Sequence, residues 1–224
     1  MLELAPGTPQ RPLRTLLCLG AHCDDIEIGC GGTVLRLCEQ NPELSVPWVV
    51  LSSTPARAAE AHHSAGLFLR GVKRSKVVIK EFRTSYLPFI GAQVKEFFEE
   101  LKRDVAPDLV LTHARQDLHQ DHRLASELTW NTFRDHLILE YEIPKYDGDM
   151  GSPNAFVPLE TRHFEAKIEH LLACFASQRD KHWFTRDTFL ALMRLRGMES
   201  NAPGGYAEAF YCRKAVLAAA PGPA

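Results

Sequence analysis

No stretch of the 224 residues approaches the ~18–20 consecutive apolar residues that a membrane helix needs. An excess of one charge sign is also missing. Lys plus Arg number 26 and Asp plus Glu 28, for a net charge of −2. Such a chain lacks the basic footprint of a dedicated nucleic-acid binder. The six cysteines contain no Cys-x-x-Cys pair, which excludes the usual redox and zinc-ribbon spacings. Several lie in apolar segments and read as reduced thiols of a cytosolic protein. A Gly-x-Ser-x-Gly elbow and a P-loop are both absent. Gly29-x-Gly31-Gly32 has Val34 where a dinucleotide fingerprint needs its third glycine, so NAD binding is not expected. The apolar run Leu16 to Leu19 is too short for a signal peptide core.

What is present is the composition of a soluble globular domain, 45% hydrophobic and 24% charged. Short apolar runs alternate with helical patterns. Leu13–Gly20, Val46–Leu51, Lys76–Phe82, Asp108–Thr112 and Leu137–Ile143 read as strands. Thr33–Glu39, Pro55–Arg70, Ala92–Val105 and His122–His136 read as the helices between them. This β-α-β rhythm predicts an α/β fold with a mostly parallel sheet and helices on both faces. Two further helices, Glu160–Ser177 and Thr185–Arg194, and a closing strand, Tyr206–Leu217, complete the pattern. With no repeat and no composition shift, a single domain over residues 13–217 is expected, between tails 1–12 and 218–224. The segment Pro144–Pro158 carries three prolines and two glycines without period, and reads as a long loop.

In an open parallel sheet, ligands bind beyond the carboxyl ends of the strands. Two such ends are crowded with metal-type ligands: His22-Cys23-Asp24-Asp25 after the first strand, and His113 to His122, with Asp117, His119 and Asp121, after the fourth. One histidine or carboxylate at a strand end is commonly a cap. Two clusters at two ends point to a divalent metal, which in catalytic zinc sites takes three protein ligands and leaves a position for water. Adjacent Asp24 and Asp25 diverge, so one can ligate while the other faces the water.

His22-x-Asp24-Asp25 with Gly29-Cys30-Gly31-Gly32 resembles the signature of the PIG-L/LmbE-like zinc-dependent N-deacetylases. Pro107 to His113, then Asp117-Leu118-His119-Gln120-Asp121-His122-Arg123, is similar to that family's second motif, and Tyr206 to Phe210 resembles its last strand. Cys23 stands where the family commonly has proline, and Ile26 where many members have an acid. The resemblance implies a Rossmann-like fold and hydrolysis of an N-acetyl group from an amino sugar or its conjugate. It implies zinc, or another divalent ion, on His22, Asp25 and His122. Asp24 becomes the general base, and His119 the stabiliser of the oxyanion, with Asp121 holding its imidazole. That chemistry is self-consistent: a metal acidifies water, a carboxylate takes the proton, and a protonated His119 meets the developing charge.

Substrate contacts are expected from Arg57, Asp147 and Asn154, the last two in the 144–158 loop. Arg57-x-x-Glu60 also reads as a surface ion pair of the second helix. The glycines of the first motif are expected to let the chain turn tightly behind the site. The expected partner is a small-molecule N-acetylated amino sugar or conjugate, with no nucleic acid and no membrane insertion, and a homo-oligomer is left open. The competing readings are hydrolysis of another bond, such as a phosphoester, and non-catalytic carbohydrate binding.

Overall fold

Five parallel strands form the body of one sheet: β1 (Leu16–Gly20), β2 (Ser45–Ser52), β3 (Arg74–Phe82), β4 (Leu109–His113) and β5 (Leu137–Tyr141). Two more, β6 (Ala155–Pro158) and β7 (Ala207–Tyr211), add an antiparallel edge. The order is β3-β2-β1-β4-β5-β7-β6. This is a computed structural model that describes residues 4–7 and 12–216. The expected tail 218–224 lies outside the described residues, as does most of 1–12 and the last residue of the expected closing strand.

Every residue of β1 and β4 is buried, which explains why they read as continuous apolar runs. Alternate side chains feed two cores. Leu16, Cys18, Trp48, Val50, Leu109 and Leu111 face α1 (Asp25–Gln40), α2 (Pro55–Phe68), α5 (Thr161–Cys174) and α6 (Arg186–Glu199). Leu17, Leu19, Val49, Leu51 and Val110 face α3 (Gly91–Asp104) and α4 (Gln120–Thr132). The sheet is thus covered on both faces, the α/β architecture expected.

Two elements differ from expectation. Helix α1 begins at Asp25, not Thr33, so the glycine half of the first motif is itself helical. It kinks at Cys30, where φ is −146°. The amides beyond the kink find their acceptor far away in sequence: the Glu208 carboxylate accepts from Gly32 N–H at 2.9 Å and Thr33 N–H at 2.6 Å. Lys167 Nζ completes the cap, bonding Glu208 and the Ile28 carbonyl, each at 2.6 Å. The motif's glycines serve close packing here, not a turn. A Cβ on Gly29 would stand 2.1 Å from the Tyr141 ring, and one on Gly31 would stand 2.6 Å from Phe68.

The second difference is β6, inside the segment read as a loop. Ala155 to Pro158 pair antiparallel with Phe210 to Ala207. Pro158 ends this edge strand, a place where a missing N–H is tolerated.

Candidate active site

The strand order reverses between β1 and β4, and open α/β sheets bind ligands at that point. Both motifs sit there. Residues 21–24 turn directly from β1 into α1, while residues 114–119 lead from β4 to α4, with His119 at the N-cap. His22, Asp24, Asp25 and His122 are all buried to within a tenth of full exposure, and Asp121 is fully buried.

Three atoms converge. His22 Nδ1 lies 3.1 Å from His122 Nε2 and 3.3 Å from Asp25 Oδ2, and His122 Nε2 lies 3.4 Å from the same oxygen. Tetrahedral zinc with arms of roughly 2.0–2.1 Å holds its ligand atoms about 3.3–3.4 Å apart. The hydrogen bonds assign the lone pairs. His122 Nδ1 meets Asp117 Oδ2 at 2.8 Å, and His22 Nε2 meets Asp121 Oδ2 at 3.1 Å. Each carboxylate takes the proton of one ring nitrogen and leaves the other bare, toward its neighbours. Two bare nitrogens and a carboxylate oxygen at this spacing repel one another unless a cation or a proton lies between them. The donor set fits a divalent ion.

The electrostatics agree. Burial disfavours a charged His22, but Asp25 and Asp121 outweigh it and raise its pKa to about 10. Burial works against the Asp25 carboxylate too, yet His122, His22 and His113 hold its pKa well below the usual range. Asp117 is likewise buried and is held down to about 2, chiefly by His122.

His113, at the end of β4, is buried among the same groups. Its Nε2 is 2.9 Å from the Ala21 amide and 3.1 Å from Asp25 Oδ2. It can accept from the first or donate to the second, and either use engages the nitrogen with protein. Burial, then His122, lowers its pKa to about 4, so the ring is neutral.

Asp24 points to a different partner. Arg57, in the first turn of α2, donates from Nη2 to Asp24 Oδ1 at 2.7 Å. Asp24 Oδ2 accepts no hydrogen bond from the described residues. Arg57 is therefore not paired with Glu60, whose carboxylate instead takes the Ser177 amide at 2.8 Å and hydroxyl at 2.6 Å.

The expected link between Asp121 and His119 is not formed by the carboxylate. Asp121 Oδ2 faces His22 and accepts from Ser85 N–H at 2.6 Å, and Oδ1 accepts from Leu87 N–H at 3.1 Å. It is the Asp121 backbone N–H that donates to His119 Nδ1, at 3.2 Å. The His119 proton then sits on Nε2. Burial and the His122 and His22 rings lower the His119 pKa, which disfavours the protonated ring expected, while Nε2–H remains free to donate. Ser85 holds its amide on Asp121 with φ at +66°, a left-handed conformation that costs a non-glycine residue roughly 1–3 kcal/mol.

Asn154 is not brought to the site. Its amide pairs with the Cys212 backbone, as acceptor at 2.8 Å and donor at 3.2 Å. Asp147 is 42% exposed, with Lys145 Nζ 4.0 Å away. The nearer acid of this segment is Asp149, whose Oδ2 accepts from Leu118 N–H at 2.7 Å. Asp117, His113, Lys145 and Ser85 have no role assigned from sequence. Asp117 carried a signal, since it stands five residues before His122 in the same motif. Cys23 is buried with its thiol 3.6 Å from the Ser52 carbonyl, away from the converging atoms.

Fold and site together describe a Rossmann-like α/β chain with a metal-type donor set at its switch point. The family model for PIG-L, described as GlcNAc-PI de-N-acetylase, matches residues 17–133, just over half of the 224 residues. The chain belongs to this family. Among curated proteins no match was found. Solved structures share the fold. A conserved protein from Thermus thermophilus aligns at 22% identity and a TM-score of 0.73, over 93% of this chain and 98% of that one. The N,N'-diacetylchitobiose deacetylase of Pyrococcus horikoshii aligns at 20% and 0.64, over 88% and 83%. GalB, the 4-carboxy-2-hydroxymuconate hydratase of Pseudomonas putida, aligns at 18% and 0.74, over 93% and 100%. The same architecture thus carries more than one reaction, and the site must choose between them. No helix among the described residues is long and apolar enough to cross a membrane.

Proposed function

We propose that this chain is a divalent-metal-dependent hydrolase that removes the acetyl group from an N-acetylated amino sugar or amino-sugar conjugate. His22, Asp25 and His122 would hold the ion, zinc being the natural fit for two imidazoles and one carboxylate with an open position. The observation that carries the reading is the convergence of His22 Nδ1, His122 Nε2 and Asp25 Oδ2, with Asp24 beside them as a carboxylate outside that set. A bound ion supplies an acidified water and polarisation of the amide carbonyl.

The chain's own groups do the rest. Asp24 Oδ2 accepts a proton from the attacking water and returns it to the departing amine nitrogen. Arg57 fixes the carboxylate through Oδ1, so the second oxygen keeps one orientation. His119 Nε2–H donates to the oxygen on which charge develops. The Asp121 amide sets that tautomer, while the Asp121 carboxylate orients His22. The membership in a de-N-acetylase family supports the amide as the bond broken.

Two observations weigh against the competing readings. The two candidate donor triads, His22/His119/His122 and Asp25/His113/His122, overlap at His122, and His113 is engaged by Ala21 or Asp25. That favours one ion over the paired ions, roughly 3.5–4 Å apart, of many phosphoester hydrolases. A simple sugar-binding protein has no use for a spare carboxylate held open by an arginine.

Acetate release tests the proposal. Free, nucleotide-linked and thiol-linked N-acetylhexosamines are incubated with the protein, with and without a chelator. The expected result is acetate from at least one class, abolished by the chelator and restored by added zinc or another divalent ion. No acetate from any class, or release that survives complete metal removal, would contradict the reading.

A further inference from the structure

Lys145 follows β5 and is drawn inward: its side chain is 10% exposed. Its Nζ lies 3.0 Å from Asp117 Oδ2 and also bonds the carboxylate of Asp149. Both acids are almost entirely buried, with side chains 3% and 5% exposed. Asp117 is already committed elsewhere. Its Oδ1 accepts from the His119 amide at 2.8 Å, and its Oδ2 takes the Nδ1 proton of His122 at 2.8 Å. Asp149 in turn accepts from the Leu118 amide at 2.7 Å. One ammonium therefore joins the segment after β5 to the loop that carries Asp117 and His119, and through Asp117 to His122 in the first turn of α4.

Buried ion pairs seldom repay their desolvation, so net stability does not explain this cluster. Its geometry points to another role. We propose that Lys145 is a positioning residue for His122, acting through Asp117, and that it couples Asp149 to metal affinity. The inference rests on His122 being a metal ligand. Lys145 bridges two buried carboxylates. Without the bridge, Asp117 and Asp149 repel each other at close range. Asp117 then swings away from His122 Nδ1 and ceases to fix the ring. Loss of such a partner typically weakens metal binding roughly 10–100-fold.

The test is zinc affinity, read by competition with a chromophoric chelator at fixed pH, with the melting temperature of each metal-free protein alongside. Lys145→Met is expected to bind zinc about 10–100-fold more weakly, and Lys145→Arg to stay within a few-fold of wild type. Adding Asp149→Asn to Lys145→Met removes the repulsion and is expected to recover most of the loss. A purely structural role would show as loss and recovery of the metal-free melting temperature with zinc affinity unmoved. If Lys145→Met does not fold, Lys145→Gln replaces it with the same expected loss. Wild-type zinc affinity in the Lys145 variant would overturn the inference, as would a double variant no better than the single one. Wild type and His122→Ala separate the two readings. A wild type without one stoichiometric zinc site lost in His122→Ala sinks the metal site itself. An intact His122-dependent site with Lys145→Met unchanged sinks only the role of Lys145.

Discussion

His22 Nδ1 stands 3.1 Å from His122 Nε2, although 100 residues separate the two histidines in the chain. Their outer nitrogens are turned to Asp121 and Asp117, so the two facing nitrogens compete for a single positive charge. A proton or a metal ion can satisfy them, but not both.

That competition predicts proton release on metal binding. In the metal-free chain His22 has its pKa raised to about 10, so at pH 7.5 the ring carries the extra proton. The metal needs the neutral ring. Binding at pH 7.5 should release about one proton per ion, and apparent affinity should rise about tenfold per pH unit between pH 7 and 9, levelling above 10. Zinc titration in weakly buffered solution, followed by pH-stat, measures it. Release of no proton, with affinity flat across this range, would remove His22 from the ligand set.

Asp121 is predicted to matter for metal, not only for catalysis. Its carboxylate bonds His22 and two backbone amides, whereas only its N–H reaches His119. Asp121→Asn should weaken zinc binding roughly 10–100-fold. A variant with wild-type zinc affinity and a reduced kcat would restore the simpler picture in which Asp121 serves His119 alone.

The position of these carboxylates marks the limit of what the chain reveals when read linearly. Both His/Asp motifs, their strand ends and the alternating α/β order were legible, because each rests on contiguous residues and on local periodicity. The Glu208 cap of the α1 kink was not, since nothing local announces an acceptor 176 residues away from Gly32. The choice of Asp121 for His22 was likewise hidden. It depends on where the β3–α3 connection delivers the Ser85 and Leu87 amides. Strand β6 was obscured by Pro153 and Pro158 flanking a short Ala-Phe-Val run whose pairing partner lies on β7.

The segment after β5 is predicted to shape substrate choice. Tyr146 and Met150 are 68% and 41% exposed, and they flank Lys145 and Asp149, which bond the His119 loop. Leu118, 55% exposed, and Tyr86, 40% exposed, lie in two other loops of the site. Tyr146→Ala and Met150→Ala should change KM or the ranking of N-acetyl substrates several-fold while leaving zinc affinity unchanged. Unaltered KM and ranking across the substrate panel would place the segment outside the substrate's reach.

The division of labour between two adjacent aspartates is the centre of the account, and the metal content of two purified variants tests it most directly. Asp24→Asn should retain about one metal ion per chain and lose roughly 10²–10⁴-fold or more in acetate release, because only the proton acceptor is gone. Asp25→Asn should lose the metal. Metal lost from Asp24→Asn and retained by Asp25→Asn would contradict the assignment.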